Sequence, residues 1–297
     1  MKKIAFCLRG AVSKNNGVTG SVLKENSNDD YIDYVKCRNS IFKFIISKNP
    51  TYQIDFFCHC WNVDLKNDLE ELYKPKKSLF ENNNNYKDDI IERCKVLDHK
   101  RRRQEVSGIS QSLTIKKSLI LKEEYEKENN CEYDIVILYR YDVLLWKDMI
   151  LDNYNLNSSN IYVNGHPNGN GDFHFVTSNS NSAAFKGLYD SPLNNNPFEQ
   201  HFWIKNYLVN FCNKTVLTDE IAPGVHQEVF RNDKLKYTKN HLTQEILDML
   251  DTGLDVKKKT IAIIFTGKSN HRWNPNFNYF DSFYNNIIMP LIEFNIL

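Results

Sequence analysis

Three short apolar runs do most to limit the fold of this chain: KIAFCLR at 3–9, YQIDFFCHCW at 52–61 and DIVILYR at 134–140. Each reads as a strand. A run that is apolar on both sides of the pleat suits a sheet covered on both faces, as parallel sheets are. Between the first two runs, Tyr31, Tyr34, Val35, Ile41, Phe42 and Ile45 fall close to helical spacing. Asn28 to Asp30 are cap candidates for that helix, and Pro50 lies beyond its end. Strand, helix, strand in this order predicts a βαβ unit with a parallel sheet.

Further along, a short helix is expected near 64–73, then a polar loop, ENNNNYKDD. Residues 87–128 look mostly helical, with Gly108 as a break. NIYVNG (160–165) and DFHFVTS (172–178) read as strands joined by a Gly/Asn turn. SNSAAFKGLYD and NPFEQHFWIKNYLVNF read as helices, the second opening on Asn196-Pro197, a helix-start signal. TVLTDE and HQEVFRN are short strand candidates, and HLTQEILDML is a helix.

Bulk properties exclude several classes. Lys+Arg is 38 against 37 for Asp+Glu, a net charge of +1, which argues against a dedicated nucleic-acid binder. The 7 cysteines are odd in number and irregularly spaced, and several sit in apolar runs. They read as small buried hydrophobes in a reducing compartment. Cys58-His59-Cys60 has no second pair at zinc-finger spacing, so strand alternation explains it better than zinc. Gly267-Lys268-Ser269 lacks the upstream glycine of a phosphate-binding loop. HKRRR at 99–103 reads as a solvated basic helix face. There is no signal-peptide pattern and no run long enough to span a bilayer, so a soluble, cytoplasmic protein is expected.

The ends of the strands carry the chemistry. In open parallel sheets ligands bind beyond the carboxyl ends of the strands. The first strand ends in Arg9-Gly10, where a glycine lets a ligand approach the backbone. The second ends in His59 and Trp61, and the third in Arg140 and Asp142, two residues apart on one face. Stacking for a base, arginine for phosphate and aspartate for a divalent ion together suit a nucleoside diphosphate. Arg140 and Asp142 equally form a self-neutralising pair at a sheet edge.

The chain resembles GT-A type glycosyltransferases, of the kind encoded in bacterial surface-polysaccharide clusters and large DNA viruses. The pieces that carry the likeness are KIAFCLRG, DFFCHCWN, QSLTIKKSLILKEEYE, YDIVILYRYDVL, GDFHFVTSNSNSAAFKGLYD and PFEQHFWIKNYL, covering roughly the first 230 residues. The resemblance implies an α/β, GT-A-like (Rossmann-like) fold, a mixed and mainly parallel sheet flanked by helices. It implies transfer of a sugar from a UDP- or GDP-sugar donor to a hydroxyl of a glycan acceptor. Such enzymes end a strand in an Asp-x-Asp motif whose last carboxylate holds Mn²⁺ or Mg²⁺ on the diphosphate. Here the motif is Arg-x-Asp, so Asp142 is the expected metal ligand and Arg140 orients the phosphates.

The same resemblance brings Asp172 to the donor sugar or acceptor as a general base. Glu199 is the second base candidate, and His226 a late metal or diphosphate ligand. Gln111 and Lys117, on the helix before the third strand, are candidates to reach the nucleotide. Each has a plainer reading: a turn aspartate for Asp172, a helix-dipole acid for Glu199, a structural histidine for His226 and a solvated face for Lys117. Two other functions compete: a sugar nucleotidyltransferase, and a catalytically degenerate domain that binds a glycan or acts as a scaffold.

The end of the chain echoes its start. KKKTIAIIFTGKSN (257–270) and FDSFYNNIIMPLIEFNIL (280–297) follow the style of MKKIAFCLRGAVSKN and YIDYVKCRNSIFKFIISKN. Residues 1–257 are expected to form the glycosyltransferase-like domain. Residues 258–297 begin a second related domain of a longer tandem chain, or form a C-terminal βα extension.

Overall fold

The computed structural model describes residues 1–12, 32–94, 102–156, 159–166, 169–191, 204–229 and 246. All but the last belong to a compact unit, Met1–Gln244. The domain boundary expected at 257/258 lies outside the described residues.

The elements are β1 (Lys3–Gly10), α1 (Tyr34–Phe44), β2 (Gln53–Cys60), α2 (Lys66–Tyr73), β3 (Lys77–Phe80), α3 (Lys87–Cys94) and α4 (Arg102–Asn129). They continue with β4 (Ile135–Arg140), β5 (Val143–Leu145), β6 (Asn160–His166), β7 (Gly169–Ser178), α5 (Asn179–Asp190), β8 (Thr215–Asp219) and β9 (Gln227–Val229). Seven strands form one sheet in the order β3-β2-β1-β4-β7-β6-β8, and β5 and β9 form a separate ribbon. All neighbours in the large sheet are parallel except that β7 runs against both β4 and β6. The expected class, a mixed and mainly parallel sheet flanked by helices, is the one observed.

The apolar runs are continuous because both sheet faces are covered. On one face Ala5, Cys7, Phe57, Val136, Leu138, Val163 and Phe175 meet Ile115 and Leu119 of α4 and Phe185 and Leu188 of α5. On the other, the rings of Phe6, Phe56 and Tyr139 pack in sequence, and Phe56 also touches Phe42 of α1 and Tyr73 of α2. Burying each such ring contributes about 1.5–3 kcal/mol. α1 starts where Asp33 accepts the Lys36 amide at 2.9 Å, a side-chain cap; the earlier cap candidates, 28–30, lie outside the described residues.

The structure departs from expectation in several places. α4 runs unbroken through Gly108. Val106, Ile109 and Leu113 are buried with Ile90 and Tyr189, and Ser112 Oγ donates to the Gly108 carbonyl at 2.7 Å. That packing outweighs the roughly 1 kcal/mol a helical glycine costs. β3 forms just before the expected polar loop, in a stretch to which the sequence assigned no element, and β5 follows β4 after a two-residue turn. Of HQEVFRN the described residues Gln227–Val229 form β9, which pairs with β5 in the separate ribbon. The expected helix over 196–211 is described only from 204 and ends in a π-helical turn, Tyr207–Phe211. Cys7, Cys37, Cys58, Cys60, Cys131 and Cys212 are free thiols, and among the described residues no helix is long and apolar enough to cross a membrane.

Candidate active site at the carboxyl ends of β1 and β4

β1 and β4 are adjacent and parallel, with Arg9 opposite Arg140. Both side chains therefore leave the same face of the sheet at its carboxyl edge. Arg9 is only 1% exposed. Its Nη2 donates to the backbone carbonyl of Asp172 at 2.7 Å, its guanidinium lies 5.6 Å from the Phe175 ring, and its buried Nε has no partner. Burial pulls the guanidinium down to about 9, with the Asp172 carboxylate opposing that fall, so it stays charged at neutral pH.

Arg140 is clamped. Its Nε and Nη2 donate to the two oxygens of Asp142, both at 2.8 Å, and its Nη1 donates to Asp172 Oδ2 at 3.0 Å. This is the bidentate fork that guanidinium and carboxylate favour. Burial works against the Arg140 charge, but Asp142 and Asp172 outweigh it and push its pKa up. The Arg140 side chain keeps 15% exposure, whereas Asp142 and Asp172 keep 6% and 4%. Gln111 of α4 completes the cluster by donating Nε2 to Asp172 Oδ2 at 2.9 Å, and its own carbonyl oxygen is buried without a partner.

Asp172 is placed by an irregularity in the β6–β7 pairing, whose register shifts between Val163 and Gly165. Asn164 at that shift accepts the Phe173 amide at 2.8 Å and the His174 amide at 3.3 Å. A Cβ on Gly171 would stand 1.8 Å from Asn164 Nδ2, so glycine is required there by close approach. Sequence alone suggested only a turn glycine.

A second group of side chains adjoins this cluster, built by β1, β2 and α4. Gly10 has φ +109°, and a Cβ there would meet nothing within 4 Å. The backbone angle, not crowding, demands glycine. Its amide donates to Thr114 Oγ1 at 3.0 Å, and its carbonyl accepts the Trp61 amide at 3.0 Å. The ionised Glu81 carboxylate can only accept from His59 Nε2, so His59 Nδ1 is left to accept the Thr114 hydroxyl proton, at 2.5 Å. His59 then carries its proton on Nε2 and donates it to Glu81 at 3.0 Å. Burial lowers the His59 pKa despite Glu81, which fits that neutral tautomer.

Trp61 stands edge-on to His59 at 4.4 Å and is tilted against Tyr86 at 5.8 Å. Lys117 donates to the Tyr86 hydroxyl at 2.7 Å and lies 3.4 Å from Glu81. It therefore braces the support of Trp61 and His59. Burial works to raise the pKa of Glu81, yet the His59 and Tyr86 hydrogen bonds hold it down at about 2.

The structure thus gathers Arg9, Gln111, Arg140, Asp142 and Asp172 in one cluster, and Gly10, His59, Trp61 and Lys117 in an adjoining one. Glu199 lies outside the described residues. His226 is not brought to Asp142: the β5–β9 register sets Val229 opposite Val143, and the His226 carbonyl accepts from the Trp146 amide at 3.1 Å, at the far end of that pairing. His174 is buried between Gln227 at 2.9 Å and Asp219 at 2.7 Å, with Tyr154 also donating to Asp219. Thr114, Glu81 and Asn164 were missed. Thr114 is three residues from Gln111 on one helix face, a spacing that offered a signal; Glu81 and Asn164 offered none.

The residues present do not suit a resident divalent cation. Arg140 occupies both oxygens of Asp142 and one of Asp172, the positions a metal would take. Among the described residues no three His, Cys, Asp or Glu side chains gather into a metal-holding group.

No protein-family model and no curated relative matches the chain. Among solved structures it is similar to mouse Xyloside xylosyltransferase 1, at 7% identity over 73% of this chain and 84% of that one, TM-score 0.35. It is similar to the glycosyltransferase GlyE of Streptococcus pneumoniae TIGR4, at 10% identity over 73% of this chain and 44% of that one, TM-score 0.34. A nucleoside-diphosphate-sugar pyrophosphorylase from Vibrio cholerae RC9 matches at 9% identity over 77% of this chain and 96% of that one, TM-score 0.36.

Proposed function

We propose that the protein is a glycosyltransferase that moves a sugar from a UDP- or GDP-sugar to a glycan hydroxyl. The observation that carries this reading is the paired Arg9 and Arg140 at the carboxyl edge of adjacent parallel strands, with Asp142 and Asp172 beside them. Two fixed guanidinium groups at that edge suit a diphosphate, and a partly exposed Trp61 nearby suits a nucleobase.

In the reaction, the acceptor oxygen bonds to the anomeric carbon while the bond from that carbon to the diphosphate oxygen breaks. Arg140, with the charge of Arg9 behind it, stabilises the negative charge that grows on the leaving diphosphate. The Asp172 carboxylate takes the acceptor's proton. Gln111 is a positioning residue, holding Asp172 from the α4 side. His59, Glu81 and Lys117 act further back by fixing Gly10, Thr114 and Trp61. The reading extends to residues 1–257 as the transferase domain, with 258–297 beginning a related domain or a βα extension.

The test is a thermal-shift panel of nucleotide sugars followed by an assay of nucleoside diphosphate release with glycan acceptors. A raised Tm with one sugar nucleotide, and diphosphate release that needs an acceptor, supports the transferase. Pyrophosphate release from a nucleoside triphosphate plus a sugar phosphate would replace it with a nucleotidyltransferase. No binding and no turnover would leave a glycan-binding scaffold.

A further inference from the structure

We propose that Arg140 takes the place of the divalent cation, so that the nucleoside diphosphate binds without a metal. The inference rests on the nucleotide-sugar reading and adds how that site neutralises its ligand. Arg140 sits between Asp142 and Asp172, within 3.0 Å of each. Arg9 and Arg140 together carry the formal charge of one divalent cation, and Asp142 and Asp172 carry that of an Asp-x-Asp pair. The set is balanced with no ion added, and adding a diphosphate brings it to the charge that an Asp-x-Asp pair, a divalent ion and a diphosphate would reach.

Geometry points the same way. A guanidinium has five N–H donors, and Arg140 engages three of them on the two carboxylates. The others lie on Nη1 and Nη2, on the one group of the cluster's two cations that retains exposure. Arg9 is too buried to be the contact, and contributes its field from behind. For a metal to sit on Asp142, Arg140 would have to release a bidentate, largely desolvated partner, leaving a buried guanidinium to find another.

The experiment is isothermal titration of the full chain with UDP and with GDP, in EDTA and in Mn²⁺. The wild type and two variants are compared: Arg140→Gln, which removes the charge at similar length, and Arg140→Asp, which restores Asp-x-Asp. One nucleotide should bind the wild type with the same Kd, within about threefold, in EDTA and in Mn²⁺. Arg140→Gln should weaken that binding at least tenfold in both. Arg140→Asp should bind only in Mn²⁺. If Arg140→Asp does not fold by circular dichroism, the wild type and Arg140→Gln decide. Wild-type binding that EDTA abolishes would overturn the inference and leave the nucleotide reading standing. Unchanged affinity in Arg140→Gln would also overturn it. Binding of neither nucleotide under either condition would overturn both together.

Discussion

Arg9 and Arg140 are register partners on adjacent parallel strands, and both guanidinium groups reach the same residue: Arg9 the Asp172 carbonyl, Arg140 the Asp172 carboxylate. Two like charges are thus tied to one acidic residue from two strands. Such an arrangement costs folding free energy unless a ligand uses it, because each cation has been taken out of water.

Arg9→Met tests that cost. The methionine fills similar volume and removes a buried donor, Nε, that has no partner. The expected outcome is a Tm that is unchanged or higher, with nucleoside diphosphate affinity weakened by about tenfold, the loss of one unit charge acting at a distance in a partly desolvated site. A Tm lowered by more than about 4 °C with unchanged affinity would make Arg9 a structural residue.

Asp172→Asn separates base from brace. Asparagine keeps the backbone carbonyl for Arg9 and a side-chain oxygen for Gln111 and Arg140, but it is a poor proton acceptor. Turnover should fall by roughly 10²–10⁴, while nucleotide affinity stays within about tenfold of wild type. Equal losses in turnover and affinity would reduce Asp172 to a holder of Arg140.

Gly171→Ala reaches the site without touching it. Its methyl would collide with Asn164 Nδ2, a costly overpacking of about 1–3 kcal/mol. Tm should fall and turnover with it, because Asn164 sets the backbone beside Asp172. In the double variant with Asn164→Ala the stability losses should sum to less than the two singles, since the clash is gone. Strict additivity, measured by urea melts, would refute the contact.

His59 makes stability depend on pH. Its folded pKa is lowered from 6.5 by burial. Below pH 6.5 the unfolded chain protonates His59 and the folded chain does not, so the unfolded state holds more protons and stability drops as pH falls. Glu81 adds a separate window: its pKa is about 2 in the fold against 4.5 otherwise, so its contribution is full above 4.5 and lost between 4.5 and 2. In His59→Asn the slope just below pH 6.5 should vanish and the lower window should narrow. A Tm profile between pH 4 and 8 identical to wild type would sink this account.

The central strands and the Arg140-x-Asp142 ending were legible because fully covered parallel strands write themselves as unbroken apolar runs. Gly108 was misjudged because helix propensity is a local quantity, whereas Ile90 and Tyr189 hold Val106, Ile109 and Leu113 from elsewhere in the chain. β3 and β5 are too short to show a period; the backbones that pair with them create them, and β9, read as a strand, gave no sign that its partner would be β5. Within the site, residue types were readable but partnerships were not. Nothing in the order of letters ties Asp172 to Gln111, or Glu81 to His59, since those pairs are separated by 61 and 22 residues.

β7 runs against its neighbours, and this sets which part of it reaches the ligand edge. A parallel strand arrives there with its last residues; β7 departs from there with its first. Asp172 is thus an early residue of its strand, with the paired ends of β6 and β7, His166 opposite Gly169, further along beyond it. The pairing of β7 with β4 covers only His174 through Ser178, so Asp172 lies beyond the last paired residue of β4. In the proposed transfer the cations that meet the leaving diphosphate would then stand on β1 and β4, and the proton acceptor Asp172 on an antiparallel strand entering from the opposite direction.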